Sequence, residues 1–172
     1  MQAKNGGITL SKTFCPLPWT HLATHPHGSI TLCCESDMTN RASEAQNLPR
    51  EFITLHNTTY DFEKIMNSDL FKKVRKDMLE GKMPAACTKC YKLEQLGNES
   101  KRTRDTKLLD FDLNDAQRIT QDDGTLTEVN FEFIELRLGN ICNLACRSCN
   151  PQSSSKWIRD WEKLKGRAVV KN

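Results

Sequence analysis

No stretch of this sequence is long and apolar enough to span a membrane, since no run approaches the about 20 apolar residues that a helical span needs. The first twenty residues carry no apolar signal-peptide core. An excess of one charge is missing too. Twenty-five Lys and Arg stand against 22 Asp and Glu, and a net charge of +3 is too small to argue for a nucleic-acid partner by itself. Aromatic residues make up 7% and hydrophobic residues 37%, low for a globular enzyme, so either much of the surface is loop or the chain is incomplete. With 172 residues, one or two modest cores are the ceiling. These absences point to a cytoplasmic, reducing compartment and away from any membrane. Cysteine, by contrast, is plentiful. In a reducing compartment eight cysteines more often mean metal than disulfides, with a disulfide framework as the bland alternative.

Three of the eight stand in Cys142-Asn-Leu-Ala-Cys146-Arg-Ser-Cys149. Their spacing can place three thiolates around one iron–sulfur cube, because soft thiolate sulfur is the ligand such clusters select. Four irons held by three cysteines leave one iron open, and an open coordination position is where chemistry happens. The flanks agree. Phe131-Glu-Phe-Ile-Glu-Leu-Arg-Leu138 alternates like a β-strand, Gly139-Asn140 breaks it, and Ser153-Ser-Ser155 opens an amphipathic helix. The loop is then expected at the carboxyl end of a strand, where α/β folds place their active sites. The competing reading is a buried helical stripe, since 142, 146 and 149 are also i, i+4, i+7. Pro151 and the Gly-Asn break argue against a helix there.

The other cysteines lie upstream. Cys15 sits on a Pro-rigidified turn, Phe14-Cys15-Pro-Leu-Pro-Trp19. Thr20–Thr24 and Ser29–Cys33 flank Pro26-His27-Gly28 and read as a β-hairpin that folds Cys15 and Cys33 toward each other. His21, His25 and His27 could ligate a metal, but more often such residues are a polar strand face and a turn. Residues 35–58 read as a polar connection with a short apolar piece, Phe52-Ile-Thr-Leu55. From Ser68 a helix is expected, with Leu70, Phe71, Val74, Met78 and Leu79 on one stripe, Gly81 as C-cap and Pro84 as stop. It delivers the chain to Cys87-Thr-Lys-Cys90, whose sulfurs can bind one metal or cluster. Cys15, Cys33, Cys87 and Cys90 make a four-thiolate site that on spacing alone suits zinc or an iron–sulfur cluster. Cys34, facing away from Cys33 on a regular strand, has no assigned role. Residues 91–108 mix charges at helical spacing, which usually means a solvated helix rather than an RNA-binding face. Residues 110–130, with a turn at Asp122-Asp-Gly124, look like a linker. Trp157, Ile158, Trp161 and Leu164 line one face of a helix ending near Gly166, read as barrel-facing core.

The CxxxCxxC spacing, its Cys-Asn-Leu opening and the strand before it resemble the radical S-adenosylmethionine (radical SAM) enzymes, although Ser148 stands where that family usually carries an aromatic residue. The upstream order of a cysteine, Gly28 five residues before Cys33, and a later CxxC resembles the twitch (short SPASM-type) domain that accompanies many of them. Here the twitch-like part precedes the radical SAM motif. The resemblance implies an auxiliary 4Fe–4S cluster on Cys15, Cys33, Cys87 and Cys90, and a second 4Fe–4S cluster on Cys142, Cys146 and Cys149. It also implies S-adenosyl-L-methionine on the open iron, cleaved by one electron to a 5′-deoxyadenosyl radical that takes a hydrogen from the substrate. A peptide or small-molecule substrate and an electron donor such as flavodoxin or ferredoxin are the implied partners; nucleic acid is not expected.

The expected fold class is an α+β twitch-like module (β-hairpin plus helices) over 1–109, a linker over 110–130, and over 131–172 the first βα unit of an α/β, partial TIM-type barrel. A barrel of that family needs about six such units, by analogy with the strand-by-strand build of α/β barrels. The chain is therefore expected to be incomplete and inactive alone, with Ile134, Leu136, Leu138, Trp157 and Trp161 short of packing partners and the region from 131 onward mobile. No glycine-rich segment follows a second strand to receive the cofactor's amino group. The alternative is a non-catalytic, cysteine-rich zinc module that binds RNA or a protein partner. Asn150 and Ser148 are poor zinc ligands, which leaves the second trio without a fourth.

Overall fold

The computed structural model describes residues 12–26, 28–37 and 61–166, so the expected apolar piece at 52–55, most of the 35–58 connection and His27 lie outside the described residues. Among these residues the fold is a small α+β arrangement of a three-stranded sheet and seven α-helices. A four-residue helix α1 (Leu17–Thr20), entered through Pro16 and Pro18, runs directly into β1 (His21–Thr24). Proline fits there because the first turn of a helix has no use for its missing N–H. β2 (Ile30–Thr31) returns antiparallel, with Ala23 opposite Thr31 and Thr24 opposite Ile30. Gly28 has φ 88° at the turn, a conformation only glycine adopts without cost, and the expected hairpin is present.

The hairpin is shorter than its sequence suggests. β2 ends at Thr31, and Cys33 and Cys34 sit in the bend and turn that follow. The alternation argument for opposite-facing Cys33 and Cys34 therefore does not apply. That turn is held instead by the Ser36 hydroxyl, which donates to the Cys33 carbonyl at 2.7 Å.

Helix α2 (Phe62–Met66) leads into α3 (Asp69–Leu79), which starts at Ser68 as expected. Phe71, Val74 and Met78 are fully buried, each contributing about 1.5–3 kcal/mol through burial. They pack with Phe14, Leu17, Trp19, Leu22 and Leu32, so the core lies directly behind Cys15 and the hairpin. The same face of α3 buries Arg75, whose guanidinium donates to the carbonyls of Pro18 (3.0 Å), Met66 (2.7 Å) and Gly124 (2.8 Å). A buried cation is tolerable there because its donors are met by carbonyl oxygens.

After a 3-10 turn (Ala85–Cys87) come α4 (Thr88–Gln95), α5 (Lys101–Leu108) and α6 (Leu113–Ile119). The last corrects the linker expected over 110–130. Asp112 caps α6 through the N–H groups of Asn114 and Asp115, and Ala116, Ile119 and Leu126 enter the main core. The Asp122-Asp-Gly124 turn is present. Gly124 has φ 89°, and a Cβ there would stand 2.3 Å from the Lys72 carbonyl oxygen, so glycine is required.

β3 (Phe133–Glu135) is a second correction. It was expected to open a separate unit, yet it joins the hairpin's sheet in the order β2-β1-β3. It runs parallel to β1, with His21 opposite Phe133, Leu22 opposite Ile134 and Ala23 opposite Glu135. The Thr24 hydroxyl extends the pairing by accepting from the Arg137 N–H at 2.6 Å. β1 is the central strand and is buried along its whole length. The outer side of β3 has few neighbours, as expected of Ile134, Leu136 and Leu138, the last 78% exposed. Helix α7 (Ile158–Lys165) follows a 3-10 turn at Ser155–Trp157 and stops at Gly166, φ 61°. None of its residues is buried, so Trp157, Ile158, Trp161 and Leu164 are not core among the described residues.

Candidate metal centres

Each of the four upstream cysteines is delivered by a different constraint. Cys15 precedes the proline pair that starts α1, Cys33 follows β2, Cys87 ends a 3-10 turn, and Cys90 lies in the first turn of α4. CxxC works here because Cys87 and Cys90 straddle a helix start, so both sulfurs face one side. All four line a single hollow together with Glu35, Lys101 and Arg102. Among the described residues no three Cys, His, Asp or Glu side chains converge closely enough to hold one metal ion directly.

The wall is dry. Burial pushes the Cys15 thiol far up and Cys87 well above its ordinary value, while Cys33 is pushed up to about 11. Neighbouring sulfurs add to this, since each resists a second negative charge: Cys33 and Cys90 bear on Cys15, and Cys15, Cys33 and Cys90 bear on Cys87. Buried, crowded thiols of this kind are poor thiolates until a metal takes the place of the protons. As a donor set they fit a polyatomic iron–sulfur group.

Helix α5 departs in part from the expected solvated face: Arg104 and Lys107 are exposed, but Lys101, Arg102 and Asp105 turn inward. Lys101 lines the hollow, and its ammonium pairs with Asp105, buried one turn on, at 2.7 Å. Arg102 donates to the Phe14 carbonyl at 2.7 Å and to the Glu94 carboxylate through Nε at 2.9 Å. Its guanidinium also lies 5.3 Å from the centre of the Tyr91 ring, whose hydroxyl donates to the Thr13 carbonyl at 2.8 Å. Arg102 thus clamps the residue before Cys15 to the helix that carries Cys90. Sequence reading missed it, because a mixed-charge helix shows its period but not which charges turn inward. The Ser100-x-x-Thr103 cap was the one local sign, since it fixes where α5 begins.

Cys34 is half buried and not among the residues lining the hollow. Burial first, and Glu135 second, push its thiol up. His21 and His25 are not part of the hollow either.

The three downstream cysteines share one irregular loop with no helix through 142–149, which disposes of the helical-stripe reading. Cys142 and Cys149 are half buried and Cys146 is exposed. The loop is tied by its flanks. The Asn140 amide donates to the Pro151 carbonyl at 3.0 Å, and the Asn140 carbonyl accepts from the Ser155 N–H at 2.7 Å. Ser154, fully buried, donates to the Leu144 carbonyl at 2.7 Å, and the Trp157 indole donates to the Cys146 carbonyl at 2.9 Å. Cys142 Sγ accepts from the Leu144 N–H at 3.4 Å. The two groups of cysteines are joined through the sheet, since β1 follows Cys15 and β3 precedes Cys142.

Residues 15–91, which contain all four upstream cysteines, match the family model of SPASM, an iron–sulfur cluster-binding domain. The stretch that carries the four cysteines is therefore similar to a domain that binds iron–sulfur clusters and is found in radical SAM enzymes, while Lys101 and Arg102 of the hollow lie beyond it. The three-cysteine loop lies outside the matched residues. No curated protein and no solved structure matches the chain. No helix among the described residues is long and apolar enough to cross a membrane.

Proposed function

We propose that this chain is the iron–sulfur part of a radical SAM enzyme, with two clusters on two sets of cysteines. Cys15, Cys33, Cys87 and Cys90 hold an auxiliary 4Fe–4S cluster, and Cys142, Cys146 and Cys149 hold the one with an open iron. One observation carries the reading: four cysteines from three separate stretches of chain, at 15, 33 and 87–90, line one hollow and lie within the residues similar to SPASM. The CxxxCxxC loop, leaving the same sheet, supports the second half.

When bound, the open cluster supplies a coordination site for the amino and carboxylate groups of S-adenosyl-L-methionine and the electron that cleaves its sulfonium. The chain's own residues do simpler work. The seven thiols give up protons and orient the metal groups; the apolar core behind Cys15 keeps water from one side of the hollow. Asn140, Ser154 and Trp157 hold the three-cysteine loop by its carbonyls. The substrate class we favour is a peptide or protein, with a small carbohydrate second. Flavodoxin or ferredoxin would supply electrons, in the cytoplasm.

The test is metal content after anaerobic reconstitution with iron and sulfide. About eight irons per chain are expected, four per cluster. Replacing Cys142, Cys146 and Cys149 together by Ala should leave about half. A colourless protein holding stoichiometric zinc would overturn the reading in favour of a zinc module that binds RNA or a protein partner.

A further inference from the structure

We propose that Lys101 sets the reduction potential of the group held by Cys15, Cys33, Cys87 and Cys90, as the forward part of a cationic wall that includes Arg102. This rests on the cluster reading above and goes beyond it. Lys101 and Arg102 occupy adjacent positions in the first turn of α5, and both line the hollow. Their carboxylate partners stand behind them: Asp105 for Lys101 and Glu94 for Arg102 are not among the residues lining the hollow. Glu35 does line it, but it is paired with Lys89.

The sulfurs face cations accordingly. Lys101 feels Cys33 and Cys34, Arg102 bears on Cys15 and Cys87, and Lys89 feels Cys90. A cube held by four thiolates carries net negative charge, and reduction adds one more. A cation fixed in a half-buried wall favours the reduced form, and water screens it poorly there. The Lys101 side chain is only 14% exposed, and its ammonium also sits 5.5 Å from the centre of the Phe133 ring on β3. It is thus held in place from two sides.

The experiment uses the full chain with Cys142, Cys146 and Cys149 changed to Ala, reconstituted anaerobically, so that one cluster is titrated alone. The midpoint is read by electron paramagnetic resonance during stepwise reduction with dithionite. Lys101→Gln is expected to shift the balance toward the oxidised form by about tenfold, which is about 59 mV more negative for one electron. Lys101→Arg should stay near the parent, and so should Lys107→Gln, a lysine of the same helix paired with Glu99 away from the hollow. If Lys101→Gln folds poorly around the stranded Asp105, Lys101→Gln with Asp105→Asn removes both charges while keeping the shape. It should move the midpoint the same way, because only the lysine faces the hollow. An unchanged midpoint with full iron in both variants overturns this inference and leaves the cluster reading standing. A parent that assembles no iron and sulfide overturns both.

Discussion

His21 and Phe133, 112 positions apart, face each other across two parallel strands, and His21 Nδ1 donates to the Phe133 carbonyl at 2.9 Å. The rings stack with centroids 4.1 Å apart. This pair joins the segment that carries Cys15 to the strand that leads to Cys142. Because a carbonyl only accepts, the proton must be on Nδ1, and Nε2 is left buried without a partner among the described residues.

A pH dependence follows. Burial lowers the His21 pKa below its ordinary 6.5, and nearby Lys101 adds to that, while the Phe133 carbonyl, Glu135 and Asp105 oppose it. Below about pH 6.5 the unfolded chain binds a proton at His21 that the folded chain refuses. Stability is therefore full above that value and falls as pH drops from it toward the folded pKa. Urea midpoints from pH 8 to pH 5 should decline more steeply for the parent than for His21→Leu. Parallel declines would show that His21 is not the group being titrated.

Arg102 offers a test of the clamp at the hollow. Arg102→Met removes the donors to the Phe14 carbonyl and leaves Glu94 with the Ser100 hydroxyl alone, and losing hydrogen bonds to a charged group costs about 2 kcal/mol. The variant should unfold at lower denaturant and lose iron faster to a chelator, with Arg102→Lys in between. Iron retention equal to the parent's would mean that Cys15 is held by the core alone.

Much of this was legible in the chain. Period and caps gave α3 from Ser68 to Gly81, and Gly28 gave the hairpin turn, because these depend on neighbours in sequence. The spacing of Cys15, Cys33, Cys87 and Cys90 pointed to residues that line one hollow. The parallel pairing of β3 with β1 was not legible, since strand partners more than a hundred residues apart leave no local trace. Nor was the burial of α6, whose polar stretch reads as a connection although Ala116, Ile119 and Leu126 turn inward. The inward charges of α5 were hidden for the same reason: composition shows which charges exist, not which of them lie against a hollow.

Cys34 separates the two thiols of an adjacent pair. Cys33 lines the hollow and Cys34 does not, although both sit in one turn after β2. Cys34→Ser should keep the iron content and the cluster spectrum. If it empties the four-cysteine site while Cys33→Ser does not, the assignment is reversed.

Asn140 bears on the second site alone. Its side chain, 6% exposed, spans the loop by donating to the Pro151 carbonyl, while its own carbonyl receives the Ser155 N–H. These bonds close the base of the stretch that holds all three downstream cysteines. Asn140→Ala would leave the Pro151 carbonyl without that donor, at a cost of about 1–3 kcal/mol for a buried group. Ile141, Leu144 and Cys146 of the loop are exposed and none belongs to the main core, so its opening need not disturb the packing behind Cys15. Chelator challenge of the reconstituted variant should therefore strip it from about eight irons to about four, the retained half sitting on Cys15, Cys33, Cys87 and Cys90. Loss of all iron would show that the two sites stand or fall together, and retention of all eight would show that the cysteines hold the loop without Asn140.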